Sequence, residues 1–202
     1  MSKDWVGNKN STFKTLGASN HTDKERQHED YYATDPFAAE LLLSVEEFLP
    51  DIWEPASGEN HLADVFRRAG HNVRTTDIVQ RTPTTEVLDF LSLNNQGSWH
   101  GDIVTNPPYK WATEFIYRAL QLVREGNKVA MFLKLQFLEG KERKQLFRDH
   151  PPRTVYVSSS RIMCAKNGEF EKMKAGGGSA VAYAWFVWEK GYKGETIIKW
   201  IN

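Results

Sequence analysis

Asp102-Ile103-Val104-Thr105-Asn106-Pro107-Pro108-Tyr109 is the stretch on which the reading of this chain turns. Asp102 to Thr105 reads as a short apolar strand that runs directly into Asn-Pro-Pro-Tyr. Two consecutive prolines fix the backbone and remove two N–H donors, while their carbonyls stay free to accept. The Asn106 side-chain oxygen and the Pro107 carbonyl can then both accept hydrogen bonds from one amino group. An aryl amine or an amide nitrogen is a poor nucleophile because its lone pair is delocalised. Two acceptors on its hydrogens favour a more tetrahedral nitrogen with an available lone pair. Tyr109 is placed to stack on the flat group that carries the amine and hold it in line. No strong general base is required if the proton leaves last. Asn106, Pro107, Pro108 and Tyr109 are therefore the candidate catalytic residues. The bland alternative is a rigid Pro-Pro turn with a buried tyrosine.

Outward from this segment the chain alternates strand and helix signals. Pro36 opens an apolar-rich helix candidate over Phe37–Leu49. Ile52 and Trp53 read as a buried strand that ends at Glu54-Pro55-Ala56-Ser57-Gly58-Glu59-Asn60. A helix is expected over Leu62–Ala69, closed by Gly70, then a strand over Asn72–Thr76 ending at Asp77 and Ile78. Val87–Leu93 is a further short apolar segment. Trp111–Arg124 is amphipathic and helical, Lys128–Leu135 has the apolar run of a central strand, and Gly140–His150 is a charged helix stopped by Pro151-Pro152. Arg153–Val157 reads as a strand and residues 158–180 as a long loop with a Gly176-Gly177-Gly178 run. Val181–Trp188 and Thr196–Trp200 are the final strands. Strands alternating with helices imply an α/β fold with a parallel sheet and helices on both faces. The last two strands lack an intervening helix, so at least one should run antiparallel. In such sheets ligands bind at the C-terminal edge of the strands, where Asn106 falls.

Residues 31–202 read as one domain. Residues 1–30 are polar, with isolated rings at Trp5 and Phe13; they read as a flexible arm or as a segment that orders on binding. The chain has 202 residues, 40% hydrophobic and 26% charged, which fits a soluble globular protein with a sizeable core. Its one cysteine, Cys164, excludes an intrachain disulfide and a multi-cysteine metal site, and fits a reducing, cytoplasmic setting. No apolar run is long enough to span a bilayer, and Met1–Asn10 has no signal-peptide core. No metal and no membrane partner are expected. Formal net charge is zero. From Lys134 to Lys174, however, ten basic residues face five acidic ones, so this stretch is +5 and the remainder −5. It is either a solvated helix face or a patch that meets phosphates.

The strand with Asn-Pro-Pro-Tyr resembles the catalytic motif of the amino-methyltransferases, the class of the N6-adenine DNA methyltransferases. The Glu54–Asn60 segment resembles that family's cofactor loop, which implies that Glu54, Pro55, Ala56 and Gly58 approach the methionine part of S-adenosylmethionine. Asn60 stands where the family often has a second glycine, and asparagine tolerates left-handed backbone better than most residues. By the same resemblance Asp77, with Ile78 beside it, binds the ribose hydroxyls, Asp89 meets the cofactor's amino group and Phe90 lies against its ring. Tyr31-Tyr32-Ala33-Thr34-Asp35-Pro36 resembles the segment these enzymes place before the cofactor loop, with Tyr32 and Thr34 near the methionine end. Asn106 would touch both cofactor and substrate.

The resemblance covers about residues 31–190, and the opening stretches are similar to small methyltransferases carried by phages and prophages. It implies a Rossmann-like class I methyltransferase with a mostly parallel seven-stranded sheet, an antiparallel strand near the C-terminus and no separate target-recognition domain. The implied activity is methyl transfer from S-adenosylmethionine to the N6 amine of adenine in DNA, with low or short sequence specificity and S-adenosylhomocysteine as product, in a bacterial or phage-infected cell. The base would have to leave the helix. Tyr109, Lys110, Arg161, Lys166 and Phe170 are the candidate substrate contacts; Arg161 opens the loop that supports the flipped base in this family, and Cys164 stands where an aromatic is often found. RNA, a protein glutamine amide, and a non-catalytic nucleic-acid-binding role on the same fold remain alternatives.

Overall fold

All four residues of the strand Asp102–Thr105 (β5) are buried. It pairs in parallel with Asp51–Glu54 (β2) on one side and Lys128–Lys134 (β6) on the other, so neither of its edges faces water. Successive side chains of a strand point to opposite faces, and the two faces of this sheet are separate cores. Trp53, Ile103, Val129, Met131 and Leu133 pack with Phe115, Ile116 and Ala119 of the helix Ala112–Leu122. Ile52, Val104, Ala130 and Phe132 pack on the other face with Ala38, Leu42, Leu62 and Phe66. The latter come from the helices Phe37–Leu43 (α1) and His61–Arg68 (α2); Ala112–Leu122 is α3. The computed structural model describes residues 32–92, 98–166, 170 and 181–202. The arm expected over residues 1–30, Tyr31 and the Gly176–Gly178 run lie outside the described residues.

The other strands are Tyr32–Thr34 (β1), Asn72–Asp77 (β3), Glu86–Val87 (β4), Thr154–Ser158 (β7), Cys164–Lys166 (β8), Tyr183–Glu189 (β9) and Ile197–Ile201 (β10). The main sheet has the order β10-β7-β9-β6-β5-β2-β3-β4. Every pairing in it is parallel except those of β9, which runs antiparallel between β6 and β7. From β2 the chain winds one way through β3 and β4, and from β5 the other way through β6. The crevice beyond the ends of β2 and β5 is therefore the point where strand order reverses, the place where open α/β sheets bind ligands.

Several expectations need correction. The expected sheet of seven strands gains an eighth at the edge, because β10 does not pair with β9 but crosses to lie parallel to β7. The helix expected to Leu49 stops at Leu43, since the Leu49 N–H donates to the Asp102 carboxylate at 2.7 Å and Glu46 turns into an ion cluster. Gly140–His150 is a 3-10 turn, Lys141–Arg143, followed by one short helix, Lys144–Asp149 (α4). The segment expected to be loop from 158 contains β8, which pairs antiparallel with β1: Tyr32 lies opposite Lys166 and Thr34 opposite Cys164. Among the described residues no helix is long and apolar enough to cross a membrane.

Candidate active site

Glu54 ends β2 and Asp77 ends β3, so the loop between β2 and α2 is framed by two carboxylates. Gly58 sits in that loop with φ 53°, and its N–H donates to Asp77 Oδ2 at 2.8 Å. The other Asp77 oxygen accepts from the Val79 N–H at 3.0 Å. Asn60 is the position where sequence reading expects tolerance of left-handed backbone, and it has φ 67°. Its side chain does more than tolerate the turn: Nδ2 donates to Thr82 Oγ1 at 2.7 Å and to Thr84 Oγ1 at 3.0 Å. That tie between the loop and the Thr-rich turn after β3 has no signature at the level of sequence.

Glu54 is 3% exposed, and its Oε2 is buried with no hydrogen-bond partner. Burial pushes its carboxyl well above the usual range, against a hydrogen bond from the Ala63 N–H and the charge of Arg67. Pro55 is buried and Ala56 partly so. Ile78 is 69% exposed at the end of β3. Asp89 is exposed, and a hydrogen bond from the Ser92 hydroxyl holds its carboxyl below the usual value. Phe90 is 2% exposed, with its ring edge-on to Trp53 at 5.3 Å and beside Phe115 at 5.0 Å. Sequence reading sets this ring against a ligand; the structure uses it as core, with no open face.

Asn106 leaves β5 at the reversal point. Its Nδ2 donates to Thr34 Oγ1 at 2.8 Å and to the Tyr32 carbonyl at 3.4 Å, with Cys164 Sγ at 4.0 Å. Its Oδ1 is buried and has no partner. Pro107 is buried and Pro108 exposed. The Pro108 carbonyl accepts the Trp111 N–H at 2.8 Å, which closes the 3-10 turn Tyr109–Trp111; the turn leaves the Pro107 carbonyl out of this bond. Tyr109 turns inward. Its hydroxyl donates to Cys164 Sγ at 3.6 Å, its ring stacks at 6.0 Å on Tyr183, and Lys134 Nζ lies 4.8 Å from its centroid. Burial, then the neighbouring Cys164 and Tyr183, keep the Tyr109 phenol well above its ordinary value, and burial pushes the Cys164 thiol up to about 11. These groups are protonated at neutral pH, so the cluster supplies acceptors and a platform, not a strong base.

Sequence reading missed Cys164 and Tyr183 as partners of Tyr109. The first reaches it through the β1–β8 pairing and the second through the antiparallel register that sets Tyr183 opposite Lys134; neither pairing has a local motif. Of the candidate substrate contacts, Lys110 and Arg161 are exposed. Lys110 Nζ lies 5.3 Å from the ring of Trp111, itself 45% exposed. Lys166 ends β8, and Phe170 packs edge-on to His61 at 5.7 Å, at the start of α2. The basic stretch is not one surface. Arg153 pairs with Glu46 and Glu189 at the opposite end of the sheet, and Arg143 folds back on the carbonyls of Phe137 and Glu139. Lys172 and Lys174 lie outside the described residues. Among the described residues no cluster of His, Cys, Asp and Glu could hold a metal ion.

The architecture is that of the Rossmann-like class I methyltransferases. An O-methyltransferase, so assigned by prediction, from Agrobacterium tumefaciens aligns over 81% of this chain and 85% of its own, with TM-score 0.57 and 15% identity. The M protein of the EcoKI type I restriction enzyme aligns over 80% of this chain and 44% of its own, with TM-score 0.53 and 15% identity. A protein from Pyrococcus horikoshii, provisionally assigned as an RNA methyltransferase, aligns over 91% and 99%, with TM-score 0.54 and 12% identity. The chain spans 62% of a class I S-adenosylmethionine-dependent methyltransferase, also provisionally assigned, from Listeria monocytogenes. No protein-family model and no curated protein matches the sequence.

Proposed function

We propose that this chain transfers a methyl group from S-adenosylmethionine to an amino nitrogen, and specifically to the N6 amine of adenine in DNA, with low or short sequence specificity. The observation that carries the reading is the Asn106 amide: its NH2 is satisfied while Oδ1 is buried and unpartnered. Folded proteins rarely keep such an atom unpaired, and doing so costs about 1–3 kcal/mol. An acceptor held open at the edge of β5, beside the Pro107 carbonyl, suits a substrate that brings two N–H groups on one nitrogen. Accepting both hydrogens localises the nitrogen lone pair, and the surplus proton leaves to water after transfer. The M protein of the EcoKI type I restriction enzyme, among the fold neighbours, supports this reading.

The residues present fit the cofactor. The loop at Gly58 carries no Cβ at φ 53°, Glu54 offers an orphaned buried oxygen beside it, and Asp77 retains a second lone-pair direction on each oxygen. When bound, S-adenosylmethionine supplies an electrophilic methyl group and leaves as S-adenosylhomocysteine. Glu54, Pro55, Ala56 and Gly58 would hold its amino-acid end, with Tyr32 nearby. Asp77 would take its ribose and Asp89 its amino group, and the exposed Ile78, rather than the buried Phe90, offers apolar surface to its ring. Lys110, Arg161, Lys166 and Phe170 are the proposed nucleic-acid contacts, and Tyr109 would have to release Cys164 to stack on a base.

Transfer of labelled methyl to unmethylated DNA, RNA and protein in parallel, followed by digestion to nucleosides, tests the reading. Label in N6-methyl-2′-deoxyadenosine from DNA is expected. Label only in RNA or in a glutamine amide would keep the site and replace the substrate. A folded protein that binds S-adenosylhomocysteine and labels nothing would overturn the catalytic reading.

A further inference from the structure

The orientation of the Asn106 amide is set by β1 and β8, a pairing that no local sequence pattern announces. Thr34 and Cys164 lie opposite each other in that pairing and are each 3% exposed. The Tyr32 carbonyl, 3.4 Å from Asn106 Nδ2, can only accept a hydrogen bond. The half of the amide facing β1 must therefore be the NH2, and the oxygen must point away. The stronger contact is the 2.8 Å bond from Nδ2 to Thr34 Oγ1. A hydroxyl could in principle serve either half of an amide, so what matters is where its own proton goes. The Tyr32 carbonyl settles this: with the NH2 turned toward β1, the Thr34 oxygen is the acceptor of the 2.8 Å bond. Its own proton then points away from Asn106, and an oxygen lone pair takes the amide N–H.

We propose that Thr34 is a positioning residue for amine methylation: its hydroxyl holds the Asn106 NH2 against β1, so that Oδ1 is presented to the substrate as an acceptor. This rests on the amino-methyltransferase reading, and it departs from the role near the cofactor's methionine end that resemblance assigns to Thr34. That hydroxyl is buried and engaged on Asn106. Without it the amide loses its best-formed contact and can rotate its NH2 toward the substrate amine, setting donor against donor.

Thr34→Val keeps the branched shape and strand preference while removing the hydroxyl; Thr34→Ser restores the hydroxyl. In the full chain, Thr34→Val should bind S-adenosylhomocysteine within about threefold of wild type yet lower kcat on DNA about 10- to 100-fold at saturating cofactor, and Thr34→Ser should recover most of it. A raised dissociation constant with unchanged kcat would make Thr34 a cofactor ligand and overturn the proposal. A second readout does not depend on turnover. The side-chain NH2 resonances of Asn106, identified by their absence in Asn106→Asp, should shift and exchange faster with water in Thr34→Val. If they stay where they are, the proposal fails whatever the kinetics. If they move but wild type methylates no acceptor, the orienting contact stands and the reading of the reaction is what falls.

Discussion

Gly58 donates its N–H to Asp77 Oδ2 at 2.8 Å, which ties the loop after β2 to the end of β3. Asp77 thus shapes the loop as well as facing the crevice. Asp77→Ala should lose this bond and the one from Val79, each worth about 1.5–3 kcal/mol because the acceptor is charged. Calorimetric titration with S-adenosylhomocysteine should show a dissociation constant raised at least tenfold. An unchanged constant would show that the ribose site lies elsewhere.

Asn106→Ala should barely move the thermal midpoint, because the Oδ1 it removes has no partner and only the contacts of Nδ2 are lost. Turnover should fall about 10²–10³-fold, the usual loss when one preorganised hydrogen-bonding group is removed. The check is kcat at saturating cofactor and DNA. Full activity would remove Asn106 from the mechanism.

Glu54 makes stability pH-dependent in an unusual direction. Burial raises its carboxyl well above 4.5 in the folded protein, so over that window the folded state binds a proton that the unfolded chain has released. Its stabilising contribution is complete below 4.5 and is lost as pH rises through the folded value. Glu54→Gln should flatten this slope, gaining on wild type as pH rises above 4.5 in urea unfolding. A parallel pair of pH profiles would refute the assignment.

Glu46 has the opposite sign. Burial opposes its ionisation, but hydrogen bonds from Lys128 and Tyr156 and the charges of Lys128 and Arg153 outweigh that and hold its carboxyl below 4.5. Its contribution is present above 4.5 and is lost as pH falls through the folded value. Glu46→Gln leaves two partly buried cations without this counter-charge and should cost about 3 kcal/mol at pH 7. Urea unfolding at pH 7 and pH 4 should show the deficit shrinking with acid.

Asn60→Ala should destabilise by about 2 kcal/mol or more, combining left-handed backbone strain with three lost side-chain hydrogen bonds. Asn60→Gly removes the strain but not the loss. Hydrogen exchange at the Thr85 N–H, which bonds the Thr82 carbonyl, should accelerate in both variants.

Local pattern was enough for the strands around the site. The apolar run of β6, the buried Asp102–Thr105 and the strand ends at Glu54 and Asp77 each declare themselves within a few residues, because a strand covered on both faces must be apolar along its length. The loop carrying Gly58 and the Asn-Pro-Pro-Tyr turn were legible for a related reason: backbone chemistry at glycine and proline is a property of the residue itself.

What the sequence determined by itself was the alternation of strands and helices, the antiparallel strand near its end, and the candidate residues at the strand edge. What only the tertiary structure decided were the relations between segments distant in the chain. Thr34 and Cys164 meet Asn106 across separations of 72 and 58 residues, Phe90 is taken into the core, Arg153 is spent on Glu46 and β10 passes beyond β7. Each depends on which strand lies beside which. That order is settled by burying both faces of the sheet at once, and no short window of sequence contains it.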